Sequence, residues 1–187
     1  LKPMTVYGRM GVLGLVLAVI LILLKELLNT KLESEEDLKR LSSIPLLGTL
    51  PQGKRSANVV VNQGGRSAMN EMFRLLRTNL NFVKRKQQSG GAVIAVTSTV
   101  SGEGKTFVSI NLGLTLAYTE KKILLIGLDL RKPRLAMYMG EDTTQAGITN
   151  YLIEEAELDD IIHSSEQHEN MHYISSGPIP PNPTELI

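Results

Sequence analysis

The stretch AVIAVTSTVSGEGKT, residues 92–106, decides the fold class of this 187-residue chain. Ala92 to Val96 has the length and apolar composition of a buried strand, a glycine-bearing loop follows, and Lys105 and Thr106 open a segment of helical pattern. Strand, loop and helix N-terminus in that order form a socket for phosphates, because backbone N–H groups and the positive end of the helix dipole converge there. Gly102 and Gly104 let the main chain curl against phosphate oxygens with no side chain between. Lys105 brings a mobile positive charge for the β and γ oxygens, and Thr106 a hydroxyl for Mg²⁺. The run Ser101, Gly102, Glu103, Gly104, Lys105, Thr106 and Phe107 is therefore expected to hold a nucleoside triphosphate. The strict pattern GxxxxGK[ST] has glycine where this chain carries Thr99, so the flanking elements must carry the argument.

They do so by repeating the alternation. Thr106 to Tyr118 predicts a helix with Val108, Leu112, Leu116 and Ala117 on its apolar face, and after Lys121 and Lys122 a second apolar run, Ile123 to Leu128, predicts a strand. The unit is βαβ, right-handed and parallel, which places the chain in the α/β class with a P-loop NTPase-like sheet flanked by helices. The second strand ends in Asp129, and a carboxylate at the C-terminal end of a parallel strand beside the phosphate loop sits where such folds hold Mg²⁺. Asp129 is thus the expected metal ligand beside Thr106, and with Lys105 the expected catalytic pair; capping the turn before Pro133 is its competing role. Arg131 and Lys132 either stabilise phosphate charge or stay solvated. Further on, Gly147 to Ser164 reads as a helix with an acidic solvated face, Met171 to Ile174 as a short strand, and Ser176 to Pro183 as a proline-rich turn.

Composition bounds the alternatives. With 42% hydrophobic residues and a net charge of +1, the chain allows one ordinary domain plus an appendage and offers no basic patch for nucleic acid. It has no cysteine, which excludes disulfides and thiolate metal sites. His168 and His172 form an i, i+4 pair with no third ligand in view, so a metal centre built on histidine is not expected.

The appendage is at the front, where Met10 to Leu24 is uncharged and almost wholly Leu, Val and Ile. Fifteen residues cover about 22 Å as a helix, and flanking Val6, Tyr7, Leu27 and Leu28, with Arg9 and Lys25 snorkelling, extend this toward a bilayer span. A signal peptide and a buried core helix are the rivals, but no small-residue cleavage site follows. Lys2 and Arg9 precede the span whereas Lys25, Lys31, Lys39 and Arg40 follow it, which places the C-terminal side in the cytoplasm. The chain divides into a membrane helix with its flanks (1–30), a juxtamembrane segment and linker (31–65), and an α/β domain (66–187). Ser34 with Asp37 reads as a capping box for a short helix, Ile44 to Gly65 as a linker rich in Pro and Gly, and Ala68 to Arg85 as an amphipathic helix. On that helix Glu71, Arg74 and Arg77 recur every third position, and either pair locally or present a charged surface to a partner. The start at Leu1 and the unfinished element after Pro183 are expected of a fragment.

Taken together, these motifs resemble the bacterial tyrosine kinases (BY-kinases) fused to polysaccharide co-polymerases, the chain-length determinants of capsule and exopolysaccharide export. The family's last transmembrane helix is similar to Met4 to Leu28, and its juxtamembrane pattern SxEDLxxxxxIPxLGxxP to Ser34 through Pro51. Its ExxRxxR helix, which mediates ring assembly of kinase domains, matches Glu71, Arg74 and Arg77, and its Walker A loop matches Ser98 to Thr106 with Ser101 in place of Pro. Its Walker A′ region resembles Ile123 to Leu135, and its GPIPPNPTEL ending is matched too. The resemblance implies an inner-membrane autokinase that uses ATP and Mg²⁺ to phosphorylate tyrosines on neighbouring subunits of a homo-oligomeric ring, with the polysaccharide export machinery as its setting. The family's Walker B aspartate lies downstream and is missing from this chain, as is its C-terminal tyrosine cluster, losses expected of truncation. The first acid of its DxDxR motif, held to help activate the tyrosine hydroxyl, has no counterpart here: Gly127 stands in its place. A base of that kind contributes about 10² to 10⁴ in rate. Its absence sustains a second expectation, a nucleotide-binding oligomerisation switch with little phosphotransfer. A partition-type ATPase is disfavoured, because its signature lysine five positions before Lys105 is Val100 here.

Overall fold

The computed structural model describes residues 3–28, 35–51, 58–83, 91–140, 145–180, 182 and 186. They fall into two compact units, Leu1–Leu46 and Leu47–Ile187. In the first, α1 (Pro3–Leu27) contains the 21-residue stretch Tyr7–Leu27, of mean hydropathy 2.4 and with no part of it buried. That stretch is about 32 Å long at 1.5 Å per residue, against a hydrocarbon core of about 30 Å, so α1 is long and apolar enough to cross a membrane. The short helix α2 (Glu35–Leu41) opens on Glu35, Glu36 and Asp37 and closes on Lys39 and Arg40, a charge order that offsets the helix dipole at both ends. Ser34, its expected cap, lies outside the described residues.

The second unit is built around α4 (Lys105–Ala117), which follows α3 (Ala68–Val83) in the chain. Beyond it come β1 (Ile123–Ile126), α5 (Leu135–Met139), α6 (Ile148–Leu152), a single 3₁₀ turn at Leu158–Ile161, β2 (His163–Ser164) and β3 (Met171–Ile174). The sheet order is β1-β3-β2. β1 and β3 run parallel with Ile123 opposite Met171, and β2 is antiparallel to β3 with His163 opposite Tyr173. One core cluster joins Ile110, Leu114 and Ala117 of α4 to Met171 and Tyr173 of β3 and to Leu135 and Met139 of α5. A second joins Leu112 and Leu116 of α4 to Phe73 of α3 and to Val61. Covered on two sides, α4 is buried without a break from Ile110 to Ala117. Gly113 permits the close approach to the sheet: a Cβ there would stand 3.3 Å from Leu125 Cδ2 and 3.5 Å from Ile123 Cγ2.

Three local expectations give way. Ala92 to Val96 is exposed and, among the described residues, pairs with no strand, and Val93 is 98% accessible. A strand exists only where a neighbour takes its backbone hydrogen bonds, which apolar composition cannot supply. The edge of β1 away from β3 is likewise without a described neighbour, leaving Leu124, Ile126 and Leu128 exposed. The helix expected over Gly147 to Ser164 is broken after α6, where Glu154 adopts the left-handed conformation at φ 62°, and its tail becomes the 3₁₀ turn and β2. Finally, Asn58 to Asn62, read as linker, is packed: Val61 is buried, and the Asn111 amide accepts from Val60 N (2.9 Å) and Val61 N (3.2 Å) while donating to Asn58 O (2.9 Å). Of the expected helix Ala68 to Arg85, the last two residues lie outside the described residues, as do Pro181, Pro183, Thr184 and Glu185 of the expected tail.

Candidate nucleotide-binding site

The loop before α4 bends at two glycines. Gly102 lies at φ 93° and Gly104 at φ 100°, the left-handed region that glycine enters without Cβ strain, and Gly104 is also the N-cap of α4. No side chain caps that helix end. The first bond into the helix is Val108 N to Gly104 O at 2.8 Å, so the N–H groups of Lys105, Thr106 and Phe107 have no intrahelical acceptor. Three convergent donors at a helix N-terminus suit a phosphate group. The turn bearing them is anchored from below: the Phe107 ring packs 5.9 Å from that of Phe73 on α3, and Ser109 Oγ donates to Lys105 O at 2.9 Å.

Ser101, Gly102 and Glu103 are exposed, while Gly104 to Phe107 are half-buried. The Glu103 carboxylate turns back along the loop and accepts from Val100 N at 3.2 Å and from Thr99 Oγ1 at 3.3 and 3.4 Å. Those donors, the Val100 amide foremost, hold its carboxyl below the usual carboxylate range. The Lys105 ammonium enters neither ion pair found among the described residues, which are Lys39–Glu35 and Arg74–Glu71.

The second half expected of the site is the turn after β1. Gly127 N donates to Ile174 O at 2.9 Å, and Ser176 Oγ donates to Gly127 O at 2.9 Å and Asp129 O at 3.3 Å, so this turn is stitched to the segment following β3. Asp129 Oδ1 accepts Lys132 N at 3.1 Å, the turn-capping role, with its carboxylate at the surface. Among the described residues no hydrogen bond or ion pair joins Asp129 to Ser101–Phe107. Ser176 carried no signal in the sequence. Asn111 did carry one: an amide set between the apolar Ile110 and Leu112 on a helix asks for hydrogen-bond partners.

Of the three charged residues expected on α3, Glu71 and Arg74 pair with each other, and Arg74 Nη2 also donates to Gly65 O at 2.9 Å. Arg77 Nη1 reaches across to Thr115 O on α4 at 3.3 Å. Both arginines line a cavity of about 170 Å³ together with Asn62, Asn70, Thr115 and Tyr118.

An AAA-domain family model matches residues 91–179, the span from the segment before the loop to the turn after β3. The chain is 35% identical over 131 residues to the tyrosine-protein kinase YwqD of Bacillus subtilis, covering 70% of this chain and 53% of that protein. It is 38% identical over 117 residues to the tyrosine-protein kinase CpsD of Streptococcus agalactiae, covering 63% of this chain and 49% of that protein. The chain therefore spans about half the length of these relatives. Among solved structures, the chimerical protein CapA2B2 superposes with a TM-score of 0.70 at 32% identity, covering 82% of this chain and 64% of that one. The kinase domain of the Escherichia coli tyrosine kinase ETK superposes with the same score at 26% identity, covering 83% and 64%.

Proposed function

We propose, for a chain that is homologous to the bacterial tyrosine-protein kinases and has the fold of their kinase domains, that its loop 101–107 binds ATP and that the γ-phosphoryl group passes from there to tyrosines on neighbouring subunits. The observation that carries the reading is the uncapped start of α4, where the amides of Lys105, Thr106 and Phe107, without helical acceptors, follow two left-handed glycines. Those amides and the Lys105 ammonium would take the β- and γ-phosphate oxygens, neutralising charge that the transfer redistributes. The Thr106 hydroxyl and the Asp129 oxygen not engaged by Lys132 N are hard donors of the kind Mg²⁺ prefers, and are the residues that would hold it. The ion would add charge neutralisation at the phosphates. Transfer forms a bond from the tyrosine oxygen to the γ-phosphorus, releases ADP, and requires a group to accept the phenolic proton. Gly127 offers none.

That gap supports a second reading, a nucleotide-binding oligomerisation switch with little phosphotransfer. A Cβ at Gly127 would stand 3.3 Å from both Ser176 Oγ and Leu135 Cδ2, so the space an acid would use is already closely lined. In either reading α1 anchors the chain in the bacterial inner membrane with the loop in the cytoplasm, Glu71, Arg74 and Arg77 serve ring assembly, and the setting is capsule or exopolysaccharide export. The domain division is proposed as 1–30, 31–65 and 66–187, with residues 58–62 of the middle segment packed on the last. The test uses the whole chain in lipid nanodiscs, titrated with MgATP and then incubated with ATP, Mg²⁺ and a tyrosine-containing polypeptide that is probed for phosphotyrosine. Saturable binding that Lys105→Ala weakens about tenfold or more is expected, together with labelling that the same variant abolishes. Binding without labelling would support the switch, and no binding would overturn both readings.

A further inference from the structure

We propose that Glu103 is a positioning residue that holds the phosphate loop in its binding shape before a nucleotide arrives, an inference that rests on the nucleotide reading above. Glu103 sits between two glycines in the left-handed region and on an exposed loop, where the backbone has the most freedom to lose on binding. Its carboxylate removes part of that freedom by bridging back three and four residues, to the Val100 amide and to the Thr99 hydroxyl, which closes a ring around the bend. Ser98 Oγ braces the same stretch by donating to Val100 O at 2.9 Å. A carboxylate beside a triphosphate is otherwise unfavourable, because like charges repel. Here the choice of partners separates the two anions: Glu103 takes donors at the entry of the loop, and the N–H groups of Lys105, Thr106 and Phe107 at its exit have no intrahelical acceptor. The residue therefore shapes the seat without sitting in it. Holding a loop in its bound form raises affinity by lowering the ordering cost that binding must otherwise meet.

The reach, more than the charge, is what the bridge requires, so glutamine should replace glutamate and alanine should not. In the nucleotide-free chain in nanodiscs, hydrogen exchange at the Val100 amide is expected to be about tenfold faster in Glu103→Ala than in wild type, and within about threefold of wild type in Glu103→Gln. Calorimetry with MgADP is expected to show affinity about tenfold lower in Glu103→Ala and within about threefold of wild type in Glu103→Gln, with all three proteins melting together. Equal Val100 exchange in wild type and Glu103→Ala would overturn the proposal. So would MgADP affinity that is unchanged or raised in Glu103→Ala, the raised value marking Glu103 as a competitor of phosphate. A wild-type chain whose Val100 is protected but which binds no MgADP would instead overturn the nucleotide reading, and with it the purpose assigned to the bridge.

Discussion

Replacing Asn111 with alanine tests whether the segment before α3 is part of the folded unit. Asn111 is fully buried and ties α4 to residues 58–61 through three hydrogen bonds, two accepted from Val60 N and Val61 N and one donated to Asn58 O. Its fourth bond, Nδ2 to Phe107 O at 2.8 Å, lies within α4 and would leave a carbonyl that the helix already satisfies. Truncation strands the Val61 N–H in a buried setting, at a cost of about 1–3 kcal/mol, and the half-buried Val60 and exposed Asn58 add about 0.5–1 kcal/mol each, since water reaches their backbone groups. The sum is about 3 kcal/mol. For a unit of this size about 4 °C of melting temperature follows each kcal/mol, so Asn111→Ala should melt roughly 12 °C lower than wild type by circular dichroism. Limited proteolysis should at the same time open new cleavage between α2 and α3. A melting shift under about 3 °C with no new cleavage would refute the docking of residues 58–61 and the argument built on it.

Gly113→Val should destabilise by about 1–3 kcal/mol, because its methyl groups enter space already bounded at 3.3 Å by Leu125, whereas Gly113→Ala should be near neutral as helix propensity offsets the tight contact; chemical denaturation separates the two. Gly127→Asp should cost about 1–2 kcal/mol in stability against Leu135 and Ser176 yet raise phosphotyrosine labelling between 10² and 10⁴ fold if a missing base limits transfer; unchanged labelling in a folded variant would remove that explanation. The double variant Glu71→Ala, Arg77→Ala should lower the assembled mass by light scattering while melting within about 1 kcal/mol of wild type, since Glu71 is exposed and Arg77 gives α4 one long bond; a lower melting point with unchanged mass would make these residues purely structural.

Much of this molecule is written locally. The start of α4 at Lys105 is legible because two glycines and a lysine–threonine pair are needed by the loop itself, whatever surrounds it. The apolar α1 follows from length and hydropathy alone, and β1 and β3 from short apolar runs bounded by turn residues. The α/β class needs nothing more than their alternation. What sequence could not decide is who pairs with whom. Ala92 to Val96 has a strand's composition and, among the described residues, no strand's partner, and Gly147 to Ser164 has a helix's composition but yields its end to the 3₁₀ turn and to β2, which pairs with β3. Asn58 to Asn62 looks like linker until the Asn111 amide, some fifty residues away, takes up its backbone groups. Asp129 and Glu103 make the same point within the site: residue type marks both as oxygen donors, but only the folded chain commits one to capping Lys132 N and the other to the Val100 amide. Propensity and pattern are properties of a few adjacent residues, whereas backbone hydrogen bonds in a sheet and the partners of a buried amide are settled by groups far along the chain, which only tertiary structure brings within reach.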